Sequence, residues 1–97
     1  MKPTRRLREL LASQGIVMAA GAYDALTARL VEQAGFPLCV LGGNALSISL
    51  GYPDLGLTSM TEVARAARCI AGAVTIPVIA DADTGYGGNL NVWWTVQ

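Results

Sequence analysis

Three short apolar segments constrain the fold of this chain more than any other feature, because a helical pattern follows each of them. The segments are Ile16 to Ala20, Pro37 to Leu41 and Pro77 to Ala80. The first is too short for a helix and apolar on both faces, which is typical of a buried parallel strand. Strand and helix alternate from there to the end of the chain. This order predicts an α/β fold with a parallel sheet.

Start and stop signals mark the helices around these segments. Asp24 precedes the second helix, and Ser59 with Glu62 has the spacing of a capping box before the third. A glycine after an apolar stripe indicates where a helix ends. The predicted helices are an opening one through Leu7, Leu10 and Leu11 that ends before Gly15, one from about Asp24 to Gly35, one over residues 60–72, and a last one capped by Asn89 or Asn91.

The region after the second strand is predicted to be irregular. Ala45 to Leu57 contains Gly51, Pro53 and Gly56, which interrupt any regular pattern and indicate a long, partly ordered loop. The turn Gly42-Gly43-Asn44 comes directly before it, and its two glycines allow the backbone to approach a ligand closely. The alternative is that these glycines form only a tight turn.

Composition indicates that these elements form only part of a domain. The chain has 97 residues, of which 53% are hydrophobic and 14% are charged, and this balance is unusually apolar for its size. Three strands would leave the sheet with an open edge and at least one uncovered face. We therefore expect residues 1–97 to be an incomplete domain, the N-terminal part of a longer barrel or doubly wound domain.

Charge argues against nucleic-acid and membrane partners. Seven Lys and Arg residues balance seven Asp and Glu residues, so no excess positive charge is available to attract phosphates or an anionic membrane. The basic residues near the N-terminus are predicted to form the solvated face of a helix. Neither an apolar span of membrane length nor a signal-peptide core is present, which favours a cytoplasmic protein.

Cysteine and histidine usage excludes several kinds of site. Cys39 lies in an apolar strand and Cys69 in an amphipathic helix, so both are predicted to be buried free thiols. The chain contains no histidine. This removes the Ser-His-Asp triad and histidine-bearing metal sites from these residues.

Two carboxylates follow the third strand. Because side chains alternate along a strand, Asp81 and Asp83 are predicted to point to the same side, close enough to bind one cation. Neighbouring anions repel each other, and a hard ion such as Mg²⁺ relieves the repulsion through oxygen ligands. The alternative is an Asp pair that only ends a strand and begins a turn. Gly42-Gly43 and the loop carrying Asp54 follow the second strand at the same rim, where parallel folds bind ligands, and this convergence favours the metal site.

Four motifs together resemble the isocitrate lyase and phosphoenolpyruvate mutase superfamily. They occur in the expected order and cover nearly all of the chain, from about residue 7 to residue 96. The motifs are Gly-Ala-Tyr-Asp-Ala-Leu-Thr-Ala-Arg-Leu (21–30), Leu-Gly-Gly (41–43), Ser-Leu-Gly-Tyr-Pro-Asp-Leu-Gly (49–56) and Ala-Asp-Ala-Asp-Thr-Gly-Tyr-Gly (80–87). The resemblance implies that the chain is the first three βα units of a (β/α)8 TIM-type barrel. It also implies a homo-oligomer, usually a tetramer, with Mg²⁺ or Mn²⁺ as cofactor.

The resemblance implies a role for each carboxylate and a class of reaction. Asp81 and Asp83 correspond to the metal-binding carboxylates, and Asp54 to the acidic residue that holds the metal's water shell. Enzymes of this superfamily cleave or move a bond next to a 2-oxo acid through a pyruvate enolate, whose oxyanion a divalent cation stabilises. The implied function is a Mg²⁺-dependent lyase or decarboxylase of the methylisocitrate or oxaloacetate type. The alternatives are a phosphonomutase of the carboxyvinyl-carboxyphosphonate phosphorylmutase type and a catalytically inactive fragment.

The resemblance further implies a small carboxylate substrate held beside the metal. The implied contacts are the segment Leu41-Gly42-Gly43, through backbone amides, then Asn44 next to it and Tyr23 on a loop lining the same pocket. Many lyases of the superfamily have Ser-Gly-Gly here, whereas decarboxylase-like members can carry Leu-Gly-Gly. The lyase cysteine and the substrate-binding arginine of the superfamily correspond to positions beyond residue 97. Neither Cys39 nor Cys69 matches that cysteine, so no acid, base or nucleophile is predicted.

Overall fold

The computed structural model describes all residues of the chain, 1–97. It contains five helices and three strands, and each strand is separated from the next by one or two helices. In chain order they are α1 (Pro3–Ala12), β1 (Ala19–Ala22), α2 (Ala25–Gln33), β2 (Leu38–Leu41), α3 (Gly43–Ser49), α4 (Met60–Ala73), β3 (Val78–Ala80) and α5 (Asn89–Thr95).

The strands form one parallel sheet in the order β1-β2-β3. Ala19 pairs with Leu38, and Cys39 pairs with Val78, so β2 lies between the other two. Parallel neighbours need a crossover, and α2 and α4 supply the two crossovers. The predicted α/β fold with a parallel sheet is therefore confirmed.

The core lies between the sheet and the two crossover helices. Cys39 and Leu41 of β2 are buried there, and burial raises the pKa of the Cys39 thiol above its ordinary value. Removing apolar side chains from water is the main stabilising contribution in such a layer. The core residues are Ala22, Ala28, Val31, Cys39, Leu41, Leu46, Val63 and Ile70.

Two capping boxes begin the crossover helices, the predicted one at Ser59 and Glu62 and one at Asp24 and Thr27 that was not predicted. The Asp24 side chain accepts a 2.7 Å hydrogen bond from the Thr27 backbone N–H. Ser59 and Glu62 exchange equivalent bonds of 3.2 and 2.9 Å. These bonds satisfy backbone groups that a helix start otherwise leaves unpaired, and they lower the pKa of both acids.

The Glu32 side chain ties the end of α2 to the segment that leads into β3. Its carboxylate accepts hydrogen bonds from the hydroxyl and the backbone N–H of Thr75, and from the N–H of Ile76 at 3.3 Å. The Thr75 hydroxyl and then its backbone N–H hold the pKa of Glu32 below its ordinary value. This contact joins parts of the chain that are 43 residues apart.

Three predicted element boundaries are wrong. The first strand begins at Ala19, not at Ile16, because β2 offers partners only from Leu38 onward; Ile16 is 94% exposed. The expected long loop from Ala45 contains α3, since no glycine or proline occurs between Asn44 and Leu50. The last helix has Gly88 as its N-cap, and Asn91 accepts a hydrogen bond from the Gly88 N–H instead of capping the helix itself.

Two predictions about exposure have different outcomes. Lys2 and the arginines of α1 are exposed, as expected for a solvated face, and Arg5 lies 3.4 Å from Glu9. Cys69, however, is exposed and not buried as predicted. It lies on the side of α4 that faces an open groove, whereas Ile70, the next residue, points into the core.

Candidate metal and substrate site

A cavity of about 330 Å³ opens beyond the carboxyl ends of β2 and β3. We call it the acidic cavity, because the carboxylates of Asp54, Asp81 and Asp83 line it and no lysine or arginine does. Its lining residues are Gly43, Asn44, Ser47, Asp54, Gly56, Thr58, Val63, Asp81, Asp83 and Tyr86. Three anionic groups without a cationic partner in the wall favour a positively charged ligand.

Asp81 and Asp83 reach the acidic cavity through a turn. β3 ends at Ala80, and the Asp81 N–H still donates to the Leu41 carbonyl at 3.0 Å. The chain then turns, with Asp83 at φ 47°, in the left-handed region that Asp tolerates better than most residues. The prediction that strand alternation aligns the two side chains is therefore wrong, although both line the same cavity.

The two carboxylates approach glycines on facing segments. A Cβ built on Gly43 would lie 3.0 Å from Oδ2 of Asp81, and one built on Gly56 would lie 3.7 Å from Oδ2 of Asp83. Oδ1 of Asp81 accepts a 2.8 Å hydrogen bond from the Asp83 N–H. One oxygen of Asp81 is therefore used within the turn, and the other lies against the start of α3.

The donor set fits a divalent cation that keeps part of its water shell. No group of three His, Cys, Asp or Glu side chains is close enough to bind a metal ion on protein ligands alone. Mg²⁺ usually takes one or two carboxylates and retains several waters. Asp81 and Asp83 would bind the ion or its waters from one wall of the acidic cavity, and Asp54 would accept hydrogen bonds from the waters at another.

Tyr86 is a cavity residue that the motif analysis did not single out. Its hydroxyl donates a 3.3 Å hydrogen bond to the Asp81 carbonyl, and its backbone has φ 64°. Burial, followed by the nearby charges of Asp81 and Asp83, raises the pKa of the phenol. Positive φ is uncommon for an aromatic residue, so the turn holds Tyr86 against the acidic cavity at a cost in backbone strain. In the sequence, Gly85 and Gly87 on either side of Tyr86 are the feature that could have indicated this unusual backbone conformation.

Ser47 and Thr58 are the other polar residues that sequence reasoning missed. Both are buried, both line the acidic cavity, and their hydroxyl oxygens are 2.7 Å apart. They are 11 positions apart, with Ser47 inside the segment predicted to be a loop and Thr58 directly after it, so no sequence pattern indicated that they are in contact.

The five predicted substrate residues separate into two groups. Gly43 and Asn44 line the acidic cavity. The Leu41 side chain is buried in the core instead, and Gly42 precedes α3 as its N-cap outside the cavity wall. Tyr23 does not line the acidic cavity and contributes to a separate groove between α2, α3 and α4.

Sequence comparison places these residues in a known context. The sequence profile of a family described as phosphoenolpyruvate phosphomutase matches residues 7–97. A 2,3-dimethylmalate lyase from Eubacterium barkeri is 45% identical over 98 residues, covering 100% of this chain and 34% of the enzyme. A chloroplastic carboxyvinyl-carboxyphosphonate phosphorylmutase from Arabidopsis thaliana is 48% identical over 103 residues, covering 100% and 30%. Other relatives are named 2-methylisocitrate lyase and oxaloacetate decarboxylase.

Structure comparison agrees with the sequence. A crystal structure of phosphonopyruvate hydrolase in complex with oxalate and Mg²⁺ superposes with a TM-score of 0.91 at 41% identity, over 99% of this chain and 34% of that one. Structural neighbours include members of the phosphoenolpyruvate mutase and isocitrate lyase superfamily, which confirms the predicted barrel-type units. This chain spans about a third of the length of the relatives that it matches. None of its helices has the length and apolar character to cross a membrane.

Proposed function

This chain belongs to the phosphoenolpyruvate phosphomutase family, and from that premise we propose that it carries the metal-binding part of a Mg²⁺-dependent carbon–carbon lyase or decarboxylase. Mn²⁺ would substitute for Mg²⁺. The proposed substrate is a small 2-oxo acid or a 2-hydroxy tricarboxylate, of the oxaloacetate or methylisocitrate type. Known relatives of the chain are lyases and mutases.

The acidic cavity carries this proposal. Asp54, Asp81 and Asp83 line it without a lysine or arginine in the wall, although they come from two segments of the chain. Such a set repels an anionic substrate unless a cation lies between them. A divalent ion would therefore make this cavity able to bind a carboxylate.

The residues of the acidic cavity have separate roles in the proposed reaction. Asp81 and Asp83 would hold the cation, and Asp54 would orient its waters. Gly43 and Asn44 line the wall that faces Asp81, where the substrate carboxylate would contact the first backbone amides of α3. The bound cation would stabilise the oxyanion of the pyruvate enolate that forms when the carbon–carbon bond breaks. Tyr86 lines the acidic cavity and packs against the core.

A phosphonomutase is the second candidate. The 48% identity to the plant carboxyvinyl-carboxyphosphonate phosphorylmutase favours it, and the same cation would bind the phosphonate oxygens. Leu41, which replaces the serine common in lyases, favours a decarboxylase over a lyase.

The third candidate is a catalytically inactive fragment. In that case the isolated chain would unfold without a cooperative transition, and Mg²⁺ would not shift the unfolding.

Oligomeric assembly and a cytoplasmic location stay predictions. Leu11 of α1, and Ile16 and Met18 before β1, are more than half exposed, and large apolar side chains exposed in this way are consistent with further protein covering them. Size-exclusion chromatography with light scattering would report the mass of the assembly.

Three substrates test the proposed reaction. The chain would be incubated with oxaloacetate, methylisocitrate or phosphonopyruvate, each with Mg²⁺ or with EDTA, and pyruvate would be followed by ¹H NMR. The control is Asp81→Asn at the same Mg²⁺ concentration, since free Mg²⁺ alone can assist loss of CO₂ from oxaloacetate. We expect Mg²⁺-dependent pyruvate above this control from oxaloacetate, whose loss of CO₂ needs only the cation-stabilised enolate, and not from methylisocitrate, whose cleavage also needs an acid and a base that residues 1–97 are not predicted to supply. Conversion of phosphonopyruvate to phosphoenolpyruvate, followed by ³¹P NMR, without pyruvate from the other two substrates would favour the mutase class.

A further inference from the structure

We infer that the hydroxyl pair Ser47–Thr58 is a positioning device that holds Asp54 over the acidic cavity. The inference rests on the proposed function, in which Asp54 orients the waters of a bound cation. Neither residue belongs to a motif of the sequence, and neither carries a charge. Their importance follows from where their single shared hydrogen bond lies.

The pair joins the two ends of the segment that carries Asp54. Ser47 is in α3 and Thr58 stands two residues before α4 begins. Oγ of Ser47 and Oγ1 of Thr58 are 2.7 Å apart, and both residues are more than 90% buried. It is the one hydrogen bond in the chain between two buried side chains. A buried hydroxyl that loses its partner is costly, so the pair resists separation.

Asp54 has little else to fix its place. Its carboxylate has no hydrogen-bond partner within the chain, and the bond from Leu55 N–H to the Pro53 carbonyl at 2.9 Å is internal to the loop. Backbone bonds from the start of the segment also run to α3: the Ser47 carbonyl accepts the Tyr52 N–H at 2.9 Å, and the Ile48 carbonyl accepts the Gly51 N–H at 3.0 Å. Residue 47 therefore anchors the segment by both its backbone and its side chain.

The Ser47–Thr58 pair is itself part of the wall of the acidic cavity. Ser47 and Thr58 line the acidic cavity together with Asp54, so a shift of their contact moves this carboxylate relative to Asp81. Groups that act on bound waters tolerate little displacement, and loss of supporting contacts typically costs 10- to 100-fold in metal affinity. Loss of the pair should therefore weaken cation binding even where the fold is intact.

Three variants and a matched control separate positioning from general stability. Ser47→Ala and Thr58→Val each remove one hydroxyl, and Thr58→Ser retains it. Ser49→Ala is the control, because Ser49 lies on the same helix and donates a 2.7 Å bond to the Leu46 carbonyl but does not line the acidic cavity. Two readouts apply: amide hydrogen exchange without metal, and Mn²⁺ affinity by electron paramagnetic resonance.

The expected pattern is specific. Ser47→Ala and Thr58→Val should raise exchange in residues 50–57 by about five- to tenfold, as loss of one buried hydrogen bond allows, with little change in α4. Each should weaken Mn²⁺ binding by about tenfold. Thr58→Ser and Ser49→Ala should resemble the unmodified chain. The double variant should be no worse than either single one, because no hydroxyl is left unpaired.

Each contrary outcome has a defined meaning. Unchanged exchange in residues 50–57 in both single variants would overturn the inference, with or without metal binding. So would a uniform rise in exchange across α4 and β2, since it would indicate a purely structural role. If the unmodified chain binds no Mn²⁺, the proposed function fails, and the exchange measurement still decides whether the pair anchors the segment.

Discussion

The backbone N–H of Asp83 donates a 2.8 Å hydrogen bond to Oδ1 of Asp81. This contact folds the two residues into a turn directly after β3, with Asp83 at φ 47°. One carboxylate oxygen of Asp81 is thereby committed to the backbone, and the other lies against Gly43. The turn, rather than the strand, determines how the two acids face the acidic cavity.

Gly43→Ala should weaken cation binding, because the new methyl group would lie 3.0 Å from Oδ2 of Asp81. That contact is tighter than a relaxed van der Waals approach, so the carboxylate must rotate away. We expect about a tenfold loss of Mn²⁺ affinity, measured by titration calorimetry. Gly72→Ala is the control, since a methyl group there meets nothing within 4 Å; it should leave affinity unchanged and raise stability by about 0.5–1 kcal/mol. Equal affinities for the two variants would show that Gly43 places no limit on Asp81.

Gly85→Ala should destabilise the chain through both its backbone and its side chain. Gly85 has φ 92°, and a Cβ there would lie 2.6 Å from Cγ2 of Val92. Gly35 has nearly the same φ, 90°, but open space around it. In urea unfolding, Gly35→Ala should cost about 1 kcal/mol and Gly85→Ala about 3 kcal/mol, the difference reporting the clash. Similar costs for both would mean that α5 moves aside easily.

The alternation of strands and helices could be predicted from the sequence because each element carries its own local signal. Apolar runs indicated β2 and β3, helical spacing from about Asp24 indicated α2, and the capping box at Ser59 marked the start of α4. α3 could not be predicted, because Gly51, Pro53 and Gly56 obscure the helical pattern of the residues before them. Those residues follow the helix, and they shape only the segment that carries Asp54.

The acidic cavity could be predicted only in part. Parallel strands bring their carboxyl ends to one rim, and Asp54, Asp81 and Asp83 do line one cavity. Tyr23 lies elsewhere, because the residues after β1 turn toward α2 and its capping box. The Ser47–Thr58 contact depends on tertiary packing between residues that share no local pattern. It therefore could not be predicted from the spacing of residues in the sequence.

Glu32→Gln should lower stability at neutral pH. The hydrogen bonds from Thr75 hold the pKa of Glu32 below its ordinary value. A carboxyl group whose pKa is depressed on folding stabilises the fold at pH values above its unfolded pKa, about 4.3. That contribution is lost as the pH falls through the lower folded pKa. The stability gap between the unmodified chain and the variant should therefore be widest near pH 7.

The measurement is urea unfolding of both chains between pH 7 and pH 3. Below about pH 4.3 the gap should narrow as Glu32 takes up a proton. Glu9→Gln is the control, because Glu9 makes only exposed ion pairs with Arg5 and Arg6, which usually contribute little. A gap that stays constant with pH would mean that the charge of Glu32 does not matter to its contact with Thr75.

Binding of a divalent cation in the acidic cavity tests the central claim most directly. The measurement is titration of the chain with Mn²⁺, followed by electron paramagnetic resonance, with Mg²⁺ as competitor. We predict one site that Mg²⁺ displaces, weakened at least about tenfold by each of Asp54→Asn, Asp81→Asn and Asp83→Asn and unchanged in Glu9→Gln. Absence of binding, or binding that survives all three carboxamide substitutions, would contradict a cation site at these residues.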